Sequence, residues 1–226
     1  MKLKTSIPLF SAIILLTLAT YVGTLLFANY SAFSAQNKIK NWQQKKIMPD
    51  ANAWQEVSDS LQRALRFDPD NPEYLNSKAT LYLYKGRLYE RQSQQAAEAN
   101  SEELSLYRQL VTLRPAWPLY WAGLINIKYR LWEVDEEMQE ALRNAARLGP
   151  LFKSNQKIIL RAGFHGWPFL DIETREAVND ILQRAMQIQP EQIIKQSIEQ
   201  GFSSRLQPYL EDDEELMKVY ERELRR

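Results

Sequence analysis

The 226-residue sequence predicts an all-α chain: an N-terminal transmembrane helix followed by divergent helical hairpin repeats. Three observations lead there. Residues 7–28 are uncharged and mostly apolar. Beyond residue 35, apolar residues recur at spacings of three and four, and no segment alternates convincingly as a strand would. Prolines 69, 115, 150 and 190 each close a stretch of the same kind.

The first element is the leader. As a helix at about 1.5 Å per residue, residues 7–28 reach roughly 33 Å, enough for the hydrocarbon core of a bilayer. Signal peptides usually have a shorter apolar core, so the segment is read as an uncleaved single-span anchor, although Ala32-Phe33-Ser34 offers a weak small-x-small cleavage site. No cysteine follows it to carry a lipid. Residues 1–35 hold two of the 29 basic residues, Lys2 and Lys4, and none of the 28 acidic ones. Cations on the two sides of the span are nearly balanced. A short cationic tail is harder to translocate than a long C-terminal domain, so the N terminus is expected in the cytoplasm and the body outside it. Residues 36–50 read as a juxtamembrane linker, in which Lys38, Lys40, Lys45 and Lys46 interleave with Trp42. Such a segment is either simply solvated or in contact with anionic head groups.

Residues 51–226 form the repeat domain with a C-terminal capping helix. Counting back from the four prolines, position −2 is Phe67, Leu113, Leu148 and Ile188; position −5 is Ala64, Leu110, Ala145 and Ala185; position −8 is Leu61, Tyr107, Leu142 and Leu182. Steps of three place these on one side of a helix that stops at the proline, and self-similarity of this period marks helical hairpins that bury their faces by stacking. Asp68-Pro69 and Asn71-Pro72-Glu73-Tyr74 resemble the inter-repeat turn of tetratricopeptide repeats, with Ala79, Tyr82 and Gly86 at the small, aromatic and turn positions. A second unit opens at Pro115, with Trp121 and Leu124 at core positions. Ile125 and Met138 replace the usual small residues, and 91–103 is an insertion. After Pro150 the pattern loosens through Gly163-Phe-His-Gly-Trp-Pro168, a helix follows near 172–189, and another over 191–200 caps the stack. Residues 211–226 read as a frayed amphipathic terminal helix.

The composition leaves little for catalysis. With no cysteine there is no disulfide, Cys-ligated zinc, iron–sulfur cluster or thiol nucleophile, and one histidine excludes a multi-His metal site. A net charge of +1 argues against nucleic acid as a partner. His165, between Gly163 and Gly166, is the one imidazole available as a general base, but a turn residue is the simpler reading, and no Gly-x-Ser-x-Gly elbow or phosphate-binding loop accompanies it. The acidic clusters near 102, 135 and 211 read as solvated helix faces. The aromatics are more informative. Trp117, Trp121, Trp132 and Tyr82 are the candidate binding residues, as planes for sugar rings or partner side chains, against the ordinary reading of stacking-core aromatics. No catalytic residue, cofactor or metal is expected.

The order of motifs carries one resemblance. The anchor is followed by Pro49-x4-Trp54, Leu61-x2-Ala-Leu-x2-Asp-Pro-x-Asn-Pro-x-Tyr-Leu75, Gly86-Arg-Leu-Tyr-Glu-Arg91, Tyr107-Arg-x4-Leu-Arg-Pro-x-Trp-Pro118, Lys128 and Ala145-x2-Leu-Gly-Pro150. Over nearly its whole length the chain resembles the VpsP family of bacterial polysaccharide-biosynthesis proteins. The resemblance implies a pathway and supplies no catalytic residues. It implies a non-enzymatic scaffold of exopolysaccharide biosynthesis and export, anchored in the inner membrane with its bulk in the periplasm. Its partners would be other membrane or periplasmic proteins of that machine, and the polysaccharide itself if the tryptophans are exposed.

Overall fold

In the computed structural model, which describes residues 6–211 and 213–225, every regular element among those residues is helical and no strand occurs. The chain forms two compact units, residues 1–113 and 114–226, so the expected single body over 51–226 is divided and its first helices belong with the N-terminal helix.

The reason lies in the first helix. α1 (Ser6–Lys45) is continuous, and residues 36–45, expected as linker, are helical. Ala28, Ala32, Ala35, Ile39 and Trp42, spaced alternately by four and three, form one buried stripe. The three alanines let a second helix approach closely. The N-terminal half of α1 is long and apolar enough to cross a membrane, and Phe10, Leu15, Leu16 and Leu18 are exposed along it.

α2 (Ala51–Phe67) begins at Asp50, whose carboxylate accepts from the Ala53 amide at 2.7 Å. It packs back along α1, giving the cluster of Ile39, Trp42, Val57, Leu61, Leu81 and Tyr84, with Trp42 edge-on to Tyr84 at 5.6 Å. α3 (Pro72–Leu88) starts on the Asn71 side chain, which accepts from the Glu73 and Tyr74 amides, with Pro72 in the first turn where a missing N–H costs nothing. α4 (Gln94–Leu113) completes the unit against α3. The insertion at 91–103 supplies the first half of this helix, because Ala96 and Ala99 are small enough to bury.

The second unit stacks two hairpins, α5 (Pro118–Leu131) with α6 (Glu136–Leu148) and α7 (Lys153–His165) with α8 (Ile172–Ile188), so that α5 also meets α7 and α6 meets α8. Ile125 and Met138, large where small residues were expected, fill its core. α9 (Pro190–Gln200) packs on α8, and α11 (Glu214–Leu224), after the single turn α10 (Gln207–Leu210), packs on α9. The terminal helix therefore has a partner; Asp212 and Arg226, within the segment read as frayed, lie outside the described residues.

Three helix ends repeat one geometry. Asp68, Gly149 and Gln189, each preceding a proline, leave the helix at φ −142°, −137° and −149°, and each donates its N–H to the carbonyl of Ala64, Ala145 or Ala185. The following proline disfavours the α conformation for these residues, which ends the helix. The −5 residues Ala64, Leu110, Ala145 and Ala185 are fully buried, whereas Phe67, Leu113 and Ile188 at −2 are about two-fifths exposed. Steps of three drift around a helix by about 60° each, so −2 lies at the stripe's margin, in a last turn with little to pack on.

Candidate functional site

The second unit carries a shallow groove of about 340 Å³ between α5 and α7. Leu119, Ala122, Gly123 and Asn126 line one wall at helical spacing, and Ser154, Lys157, Ile158 and Arg161 the other. Ala122 and Gly123 keep the floor low, so the groove is largely apolar, with Lys157 and Ser154 along the α7 wall and a polar pair at the Asn126 end. There the Arg161 guanidinium donates to Asn126 Oδ1 at 2.7 Å and lies over the Tyr129 ring at 4.8 Å. Tyr129 stands edge-on to His165 at 5.2 Å, and His165 to Trp132 at 4.3 Å.

Trp132 is 63% exposed and sits in the left-handed region at φ 62°. For a bulky residue that conformation costs on the order of 1–3 kcal/mol and persists only where its surroundings over-determine it. Lys128 does so twice. Its carbonyl accepts the N–H groups of Trp132 and Glu133, and its ammonium, excluded from solvent, holds Asp135 at 2.6 Å, Glu137 at 2.8 Å and Glu133 at 3.1 Å. Burial alone lowers the Lys128 pKa, but the three carboxylates outweigh it and raise it. Asp135 also accepts the Met138 amide as the cap of α6, and these bonds hold its carboxyl below the usual range against the upward push of burial. One buried lysine thus ties down the turn that presents Trp132.

The other candidates separate. Trp117, before the first turn of α5, is 44% exposed and tilted against Tyr120. With α5 between them at about 1.5 Å per residue, Trp117 and Trp132 lie roughly 20 Å apart and cannot flank one sugar ring. Trp121 is buried, its indole N–H donating to the Pro115 carbonyl at 2.7 Å, and it offers no open ring face. Tyr82 belongs to the first unit, half-buried and edge-on to Trp54 with the Lys85 ammonium over both rings. Burial and the Glu102 charge push its hydroxyl pKa up, so it stays neutral.

Sequence reasoning missed Asn126, Tyr129, Ile158 and Arg161. A weak signal existed, since α5 carries apolar or small residues on the side adjoining its buried Tyr120, Leu124 and Ile127. A second depression, of about 580 Å³ between α6 and α8, is lined by arginines and acids that largely neutralise each other; Arg143 contacts Glu136 and Asp171. No group of three or more metal-ligating side chains occurs among the described residues. No protein-family model matches the chain, and no curated protein matches it either.

Proposed function

We propose that the chain is a membrane-anchored, tetratricopeptide-like scaffold that takes an apolar segment of a partner protein into the α5–α7 groove. The observation that carries this reading is the groove itself, a shallow and largely apolar depression between two helix stripes, with Lys157 on one wall and the Arg161–Asn126 pair at one end. Helical repeats bind extended or helical peptides on such surfaces without chemistry. The apolar half of α1 supports the anchor, and the recurring proline-terminated helices support the repeat assignment. The motif order shared with the VpsP family supports a role as an accessory of exopolysaccharide biosynthesis and export in the inner membrane, its bulk in the periplasm. A photo-crosslinking residue at Leu119 or Ile158 should then capture a discrete partner in polymer-producing cells, while one at exposed Asn179 on α8 should not. Equal capture from all three positions sinks the groove.

A second reading, contact with the polysaccharide, is favoured by the strained and exposed Trp132. Glycine adopts its backbone conformation freely. Relief of the left-handed strain then offsets the lost ring contact with His165 and the greater freedom of glycine in the unfolded chain, so Trp132→Gly should change stability by no more than about 1 kcal/mol. Loss of polymer binding in that folded variant supports the glycan reading; unchanged binding removes it.

A further inference from the structure

We propose that the α2–α3 turn, from Phe67 to Asn71, rests in the lipid headgroup layer of the membrane that α1 crosses; this depends on α1 being a span. Two levels on α1 establish the geometry. Ile39 and Trp42 pack with Val57, Leu61, Leu81 and Tyr84, whereas Ala28 and Ala32 pack with Ala64 and Tyr74. α2 therefore runs back along α1 toward the apolar half, and its last residue, Phe67, meets Phe27 edge-to-face at 5.8 Å. The turn continues past that level, alongside the last residues of the uncharged segment.

Two opposing demands then set the depth. At about 1.5 Å per residue, residues 7–26 cover roughly 30 Å, the thickness of the hydrocarbon core, so the span cannot end much earlier. It cannot end later either. The side chain of Ala28 is wholly buried against protein, and a deeper seat would draw Asp68 and Asp70 into hydrocarbon. The expected span of 7–28 is accordingly trimmed at its C-terminal end, and the turn lies at the boundary.

Its chemistry suits that layer. Tyr30, 76% exposed, is an amphipathic ring of the kind found at membrane interfaces, Phe67, 43% exposed, adds an apolar ring, and Arg63 and Arg66 are exposed on the last turns of α2, within reach of phosphates. Asp68 and Asp70 accept from Asn71 and Gln109, and ammonium headgroups match their remaining charge.

The chain has no cysteine, so introduced single cysteines report without background. Full-length Leu16→Cys, Phe67→Cys, Asp70→Cys and Leu88→Cys variants would be nitroxide-labelled in nanodiscs of phosphatidylethanolamine and phosphatidylglycerol. Accessibility to oxygen and to a water-soluble nickel chelate would then be compared. Leu88, at the far end of α3, provides the aqueous reference. The expected result is a Leu16 label in the lipid core and Phe67 and Asp70 labels shielded from nickel several-fold relative to Leu88. Should Phe67→Cys fail to fold, the exposed Asp70 position decides. Phe67 and Asp70 labels as nickel-accessible as Leu88, with Leu16 still in lipid, overturn the proposal and leave the span standing. A water-accessible Leu16 label overturns the span and this inference with it.

Discussion

Lys128 has no contact with water, yet its ammonium meets three carboxylates whose side chains remain 43%, 52% and 31% exposed. That asymmetry decides what its removal does. Breaking a fully buried ion pair costs roughly 3–5 kcal/mol because a charge is stranded in the interior. In Lys128→Met the stranded charges are half-wet carboxylates and the stem volume is kept, so the loss should fall below that range, read from chemical denaturation. Neutralising the acids together, as Glu133→Gln, Asp135→Asn and Glu137→Gln, strands the buried ammonium and should cost more than Lys128→Met. The pH dependence follows from the directions of the shifts. Asp135 is held below its unfolded value of about 3.9, so its contribution is complete above that pH and disappears as pH falls through the folded value. Lys128 is raised, so its contribution is complete below about 10.4 and disappears as pH rises through the folded value. Thermal melts should show a plateau between these limits, and Lys128→Met should flatten the acid edge. An acid edge that is the same in Lys128→Met and the parent would show that the network does not set it.

α7 shows how an element can invert an ordinary propensity. An interior glycine usually costs a helix about 1 kcal/mol against alanine, so Gly163→Ala would ordinarily stabilise. Here a Cβ would come 2.6 Å and 2.9 Å from the two γ-carbons of Val178 on α8, and a β-branched side chain has little freedom to turn away. Gly163→Ala should therefore destabilise by about 1–3 kcal/mol, and adding Val178→Ala should recover part of the loss; additive losses in the double-mutant cycle would refute the contact. This is also the scale at which the sequence was most readable. Proline-terminated helices and the buried alanine five before three of the four prolines are local signals, and Ala64, Ala145 and Ala185 reveal the stripe without tertiary knowledge. The second half of α1 was not readable in that way. The spacing of Ala28, Ala32, Ala35, Ile39 and Trp42 lies partly within a segment apolar on every side and partly among lysines, so neither half displays a clean period. The groove was hidden for a related reason: α5 is apolar on two faces, and residue type alone does not distinguish exposed Trp132 from buried Trp121.

For the whole molecule, the consequence is that the exposed apolar segment and the first folded unit share a helix. α1 supplies the segment long and apolar enough to cross a membrane and then one wall of the first unit's core, so a cut at the boundary suggested by composition is a cut through that core. A chain beginning at Ala51 would uncover Val57, Leu61, Leu81 and Tyr84, the residues that Ile39 and Trp42 now cover. Burying side chains of that size contributes about 1.5–3 kcal/mol each, a large share of the stability of one small unit. A chain beginning at Phe27 removes only the exposed apolar half of α1 and retains the buried stripe from Ala28 onward. The 27–226 chain should melt cooperatively and bind little hydrophobic dye. The 51–226 chain should melt several degrees lower, bind the dye strongly and elute as aggregate by light-scattering chromatography. Equal melting temperatures and dye binding for the two would reduce residues 27–45 to a tether, and would return the body to the single domain over 51–226 that the composition suggests.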